Sequence, residues 1–161
     1  MRNALAAFLL VLVGITGTAF AQGGGFYDVP SNRLALRGYD PVGYQSQQRP
    51  VLGSEENSAD VDGITYWFAS KVNRDKFVSH PGDYAPQFGG FCATGVHNGA
   101  KIEADPQHFA VVDGKLYLFQ NAAARERFMR DQQQSAKVAR DKWAEVSGLP
   151  TRYPNSYRQV R

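Results

Sequence analysis

Residues 59–68 read ADVDGITYWF, and residues 110–119 read AVVDGKLYLF. In both stretches an Asp-Gly pair, Asp62-Gly63 or Asp113-Gly114, separates two runs that favour β-structure. Asp-Gly between such runs is typical of a two-residue type I′ hairpin, because Asp and Gly tolerate the positive φ angles of this turn. The sequence therefore predicts two β-hairpins.

A helix is predicted to follow each hairpin. Ser70 and Asn121 are good N-cap residues, because their side-chain oxygens accept an N–H of the first helical turn. The first helix is predicted from Lys71 to Ser79, and it must end before Pro81 because the residue before proline disfavours α geometry. The second helix extends to Val146 on a broken apolar stripe, and the polar stretch 131–135 is expected to split it.

The two stretches correspond at a constant spacing of 51 residues, and the correspondence continues into the helices. Arg74 and Phe77 of the first helix match Arg125 and Phe128 of the second. A constant spacing without a gap favours an internal repeat. The predicted fold class is α+β, with two β-hairpin-plus-helix units packed around one core. Each phenylalanine is expected to fold back over its own hairpin.

The first 21 residues are typical of a signal peptide. Arg2 gives a positive start, the apolar run that follows is too short to span a bilayer comfortably, and Ala19-Phe20-Ala21 fits a signal-peptidase site. We expect cleavage after Ala21 and a periplasmic or secreted product, the alternative being an uncleaved anchor. No second long apolar stretch follows, so no transmembrane segment is expected after cleavage.

The rest of the chain has the length of a single domain. We expect a flexible N-terminal segment at 22–33, the domain at 34–147 and a C-terminal tail without helical periodicity at 148–161. Residues 22–124 carry a net charge of −3 and residues 125–161 a net charge of +5. This basic C-terminal third fits an acidic partner protein, an anionic membrane surface or a solvated helix face. Binding of nucleic acid is not expected, because no basic-aromatic cluster is present.

Cys92 is the one cysteine of the chain, so no intramolecular disulfide can form. It lies in a glycine-rich stretch between the two units, where Gly89-Gly90 permit positive φ angles. A thiolate there is suited to bind Cu(I) or Zn(II), and His97 is a candidate second ligand or general base. The alternative is a structural role, since free cysteine is among the most buried residue types.

Several motifs in order carry a family resemblance: LRGYDPVGY at 36–44, YWFAS at 66–70, FGGFCA at 88–93 and VDGKLYL at 112–118. Together they resemble the YHS-domain family in its long exported form, over nearly all of residues 34–146. Short YHS domains are suspected of binding copper or a similar soft metal through cysteines. Those cysteines correspond here to Asp40, Gly43, Ala69 and Asn73, so the resemblance implies no site of four sulfurs. The long form keeps a cysteine where Cys92 stands.

Three functions are compatible with these residues. The first is an exported, non-enzymatic binding module for a soft metal ion such as copper or zinc, with Cys92 and His97 as metal ligands. The second is a thiol-dependent redox protein or enzyme, which requires a lowered pKa of Cys92. The third is a structural or protein-interaction domain. No catalytic signature and no cofactor-binding glycine loop is recognisable in the sequence.

Overall fold

The computed structural model of the protein describes residues 34–153. The predicted signal peptide at 1–21, the segment at 22–33 and the end of the tail at 154–161 lie outside the described residues. Between residues 34 and 153 the fold is mixed α+β, with two small antiparallel hairpins and six α-helices. The predicted α+β class is therefore confirmed.

The first half begins with a 3-10 turn, Ala35–Gly38, and a short helix, α1 (Pro41–Ser46). The side chain of Asp40 accepts N–H groups at the start of α1, and Pro41 occupies the first turn, where a missing N–H removes no helical hydrogen bond. A hairpin and two helices follow: β1 (Ser54–Val61), β2 (Ile64–Phe68), α2 (Lys71–Ser79) and α3 (Pro81–Tyr84).

The second half starts with the same order of elements: a 3-10 turn, a short helix, a hairpin and a longer helix. The turn is Gln87–Gly90, with positive φ angles at Phe88, Gly89 and Gly90. The elements after it are α4 (Ala93–His97), β3 (Asp105–Val112), β4 (Lys115–Phe119), α5 (Ala122–Met129) and α6 (Gln132–Val146). The glycine-rich stretch around Cys92 thus contains α4, which the sequence did not predict.

The two hairpins have the same register when residue numbers are shifted by 51. Ala59 pairs with Tyr66 in the first hairpin, and Ala110 pairs with Tyr117 in the second. Each hairpin has an irregularity at the same place, between Ser54 and Ser58 and between Asp105 and Phe109. All four turn residues have positive φ: Asp62 52°, Gly63 77°, Asp113 50° and Gly114 70°. Both predicted Asp-Gly hairpins are confirmed.

The helix after each hairpin packs a phenylalanine ring on that hairpin. The Phe77 ring lies 4.5 Å from the Tyr66 ring and 5.3 Å from the Phe68 ring, measured between centroids. The Phe128 ring lies 5.3 Å from the Tyr117 ring and 5.2 Å from the Phe119 ring. Phe77 and Phe128 are fully or almost fully buried, so each closes one part of the shared core.

The predicted helix boundaries after the hairpins are also confirmed. α2 spans Lys71–Ser79, with the Ser70 side chain accepting the N–H of Asn73. The Asn121 side chain accepts the N–H of Ala124 in the same way. The second helix is split as predicted, but only at the edge of the polar stretch: α5 ends at Met129, Asp131 caps the start of α6, and residues 132–135 are helical.

α6 covers the second half of the core. Its buried residues include Ala136, Ala139 and Val146, and its Trp143 ring lies 5.7 Å from the ring of Phe88. The chain after α6 is held as far as it is described, because the N–H of Arg152 donates to the carbonyl of Lys101 at 2.7 Å. The start of the predicted tail is therefore hydrogen-bonded to the domain.

Candidate functional site

Cys92 lies at the centre of the second half, immediately before α4. Its side chain belongs to the hydrophobic core and the residue is 1% exposed. Its backbone N–H donates to the carbonyl of Ile102 at 2.9 Å, and the residue forms an isolated bridge with Leu118 of β4. The fold therefore encloses the sulfur that the sequence predicted as a metal ligand or a reactive thiol.

The surroundings of the sulfur have opposing effects on its protonation. Burial raises the pKa of the Cys92 thiol above its ordinary value, and this is the larger effect. The backbone N–H groups of Gln120, Gly95 and Thr94 lower the pKa, as does the positive charge of Arg127. The Cys92 side chain forms no capping hydrogen bond with α4, as expected for sulfur, which is a weak acceptor. Cys92 is therefore a neutral thiol near pH 7.

His97 is the last residue of α4, at the opposite end of the helix from Cys92. Five residues of α-helix rise about 7.5 Å along the axis, so the helix separates the two predicted metal ligands. The Nδ1 atom of His97 is buried and has no hydrogen-bond partner in the described part of the chain. No group of three or more His, Cys, Asp or Glu side chains within residues 34–153 is arranged to hold a metal ion.

Asp40 in the first half, like Cys92 in the second, directly precedes a short helix, and the sequence pointed to Asp40 only through the family resemblance. Asp40 is 0% exposed. Its Oδ1 accepts the N–H groups of Val42 at 2.8 Å and Gly43 at 3.3 Å. Its Oδ2 accepts the N–H of Ala69 at 2.9 Å and the side-chain amide of Asn73 at 2.6 Å. All four donors converge on one buried carboxylate.

The sequence signal for this cluster was Asp40-Pro41. An aspartate followed by proline fits an N-cap and the first position of a helix. The contacts of Asp40 with Ala69 and Asn73 join residues 29 and 33 positions apart, so no local pattern could have predicted them.

One cavity lies between α4, α5 and α6, with a volume of about 260 Å³. Thr94, His97 and Asn98 contribute from α4 and its end, and Arg127, Phe128, Arg130 and Ser135 from α5 and α6. His97 therefore belongs to this cavity. The sequence did not predict Arg127 and Arg130 as site residues. They alternate with Glu126 and Asp131, and such alternation is typical of a solvated helix face.

Comparison of the chain with known protein families, with curated proteins and with solved structures gave no match. None of the described helices is both long enough and apolar enough to cross a membrane.

Proposed function

We propose that the protein is an exported, non-enzymatic binding module that resembles YHS domains, and that Cys92 has a structural role in it. The observation that carries this proposal is the burial of Cys92, which is 1% exposed at the start of α4. A thiol acts as a nucleophile through its thiolate and needs access to its substrate. The raised pKa and the enclosed sulfur oppose both requirements.

The surroundings of the thiol act in both directions on metal binding. Three backbone N–H groups face the sulfur with the positive ends of their dipoles, and Arg127 adds a positive charge. These groups favour the thiolate, which is the metal-ligating form, whereas burial of the sulfur opposes the thiolate and is the larger effect. Copper or zinc binding by Cys92 and His97 stays a prediction, and the experiment below decides it.

The resemblance to YHS domains is supported by the neighbourhood of Asp40. Four positions correspond to the cysteines of short YHS domains. They meet in this fold, because the Asp40 carboxylate accepts hydrogen bonds from Gly43, Ala69 and Asn73. Residues so far apart in sequence would not be expected to converge if the correspondence were accidental. In this chain hydrogen bonds replace the sulfur ligands that the family resemblance implies elsewhere.

We further propose that the two halves are copies of one unit. Supporting this, the hairpin registers and the N-caps agree at a spacing of 51 residues. Upstream of Val51 and Ile102 the spacing changes to 52 residues, as for one inserted residue, but the hydrogen bonds stay similar: the N–H of Asp40 donates to the Val51 carbonyl, and the N–H of Cys92 donates to the Ile102 carbonyl. Such an origin accounts for Cys92 occupying a helix-capping position.

The leader-like first 21 residues support a periplasmic or secreted location. Fractionation of cells that express the full chain tests this, because a mature product that begins at Gln22 outside the cytoplasm is expected.

The basic C-terminal third is the proposed surface for an acidic protein partner.

A Cu(I) titration against a competing chelator tests the structural role of the thiol. We expect the folded protein and the Cys92→Ser variant to compete equally poorly for Cu(I). One equivalent of bound Cu(I) that is lost in Cys92→Ser and weakened in His97→Ala would contradict the proposal and establish the metal site instead. Spectra of both variants must match the parent protein, so that unfolding is not mistaken for loss of a ligand.

A further inference from the structure

The cavity between α4, α5 and α6 has a cationic lining. Arg127 and Arg130 both line it, and the other lining residues are neutral or, in the case of His97, basic. Neither arginine side chain forms a hydrogen bond or ion pair with the described residues. Two guanidinium groups are thus free to bind an anion by paired, charge-assisted hydrogen bonds.

Polar groups of the cavity wall add to this preference. The Nδ1 atom of His97 is buried without a hydrogen-bond partner among residues 34–153. Ser135 lines the same cavity and is 8% exposed. The Thr94 hydroxyl already donates to the carbonyl of Ala124 at 2.7 Å. An unpaired buried polar atom is costly, so a ligand that pairs with Nδ1 of His97 gains affinity.

The end of α4 does not oppose an anion as a free helix C-terminus would. Its last carbonyl, that of His97, accepts a hydrogen bond from the Lys142 ammonium group at 2.8 Å. The carbonyls of Thr94, Gly95 and Val96 accept N–H groups of the turn that follows. The negative end of the helix dipole is therefore neutralised, and Lys142 brings a further positive charge close to His97.

We propose that this cavity is a binding site for a small organic anion that carries carboxylate or phosphate groups. The volume of about 260 Å³ lies just below the usual range for drug-sized ligands, so it fits a small metabolite. Arg127 and Arg130 hold the acidic group, while His97, Asn98 and Ser135 select the polar substituents. The inference rests on the proposed binding function and gives that function a site separate from the Cys92 sulfur.

An NMR titration of the folded protein with citrate and, separately, with inorganic phosphate tests the site. Sodium chloride keeps the ionic strength constant, so that general screening does not mimic binding. We expect saturable shifts of the amide signals of Thr94, Asn98 and Arg127 with at least one of the two anions. Whichever anion saturates assigns the site to carboxylates or to phosphates.

Charge-matched variants decide whether the arginines carry the binding. Arg127→Gln and Arg130→Gln should each weaken binding roughly tenfold, since each removes a charge-assisted contact. Lys137→Gln removes the same charge from an exposed position of α6 outside the cavity and should leave the affinity unchanged. Absence of saturable binding up to about 10 mM, or equal affinities in all three variants, would overturn the proposal. Neither result alters the Cu(I) or thiol measurements, so the two proposals can fail separately.

Discussion

Asp40 and Cys92 have similar backbone surroundings in the two halves of the fold. Each directly precedes a short helix, and each donates its backbone N–H to the segment before the next hairpin, at 2.8 Å to Val51 and 2.9 Å to Ile102. The Asp40 carboxylate faces the N–H groups of Val42, Gly43 and Ala69. The Cys92 sulfur faces those of Thr94, Gly95 and Gln120. Similar surroundings thus hold a carboxylate in one half and a thiol in the other.

Replacing Asp40 with alanine is expected to destabilise the protein strongly. The change leaves four donors without an acceptor in a site that is 0% exposed. We expect a loss of about 3–5 kcal/mol in the free energy of unfolding, measured by urea denaturation. Asp75→Ala is the control, because its side chain is 58% exposed and should cost less than about 0.5 kcal/mol. Similar values for the two variants would contradict the assigned role of Asp40.

The proposed duplication predicts a specific coupling between Cys92 and Ala124. Ala124 stands where the first half has Asn73, whose amide donates to Asp40. Cys92→Asp alone should destabilise the protein, because the buried carboxylate lacks this fourth donor. Adding Ala124→Asn should recover about 1 kcal/mol or more of the loss, as a favourable coupling in a double-mutant cycle. Strictly additive effects would show that the two sites are not equivalent.

The raised pKa of Cys92 makes stability depend on pH in the alkaline range. The unfolded chain releases the thiol proton near the ordinary pKa of 9.0, whereas the folded chain retains it. The unfolded state therefore binds fewer protons, and stability falls as pH rises above 9.0, by at most about 1.4 kcal/mol per pH unit for this group. Urea denaturation between pH 8 and 10 should show a smaller decline in Cys92→Ser. Parallel declines would contradict a raised thiol pKa.

Gly53 is predicted to be intolerant of any side chain. A Cβ atom there would lie 2.5 Å from the backbone nitrogen of Phe68 and 2.6 Å from the carbonyl oxygen of Trp67. Gly53→Ala should therefore cost about 3 kcal/mol or more, since the backbone of β2 has to move. Gly82→Ala is the matched control, because a Cβ at Gly82 meets nothing within 4 Å. A thermal melt of both variants checks the contrast, and a stable Gly53→Ala protein would refute it.

The elements that the sequence predicted well depend on local signals. The Asp62-Gly63 turn needs only its own positive φ angles, and α2 is bounded by the Ser70 cap and by Pro81. α1, α3 and α4 were not predicted, because helices of four to six residues are too short to show a helical period. Their stability comes from tertiary packing and capping rather than from propensity.

The candidate sites were less accessible to sequence analysis than the fold. Cys92 and His97 were singled out because they are close in sequence, but α4 carries them to its opposite ends. The cavity joins His97 to Arg127 and Arg130, which are thirty or more positions away in sequence. Such a contact depends on how α5 and α6 pack against α4, and no periodicity or spacing in a single sequence encodes it.

The reactivity of Cys92 toward iodoacetamide, measured as a function of urea concentration, tests the structural role of the thiol most directly. If the sulfur is sealed in the core, alkylation should be at least about a thousandfold slower in the folded protein than in the unfolded chain, and it should accelerate only with global unfolding. A native thiol that reacts within about tenfold of the unfolded rate, independently of urea, would contradict the account and point to a thiol enzyme.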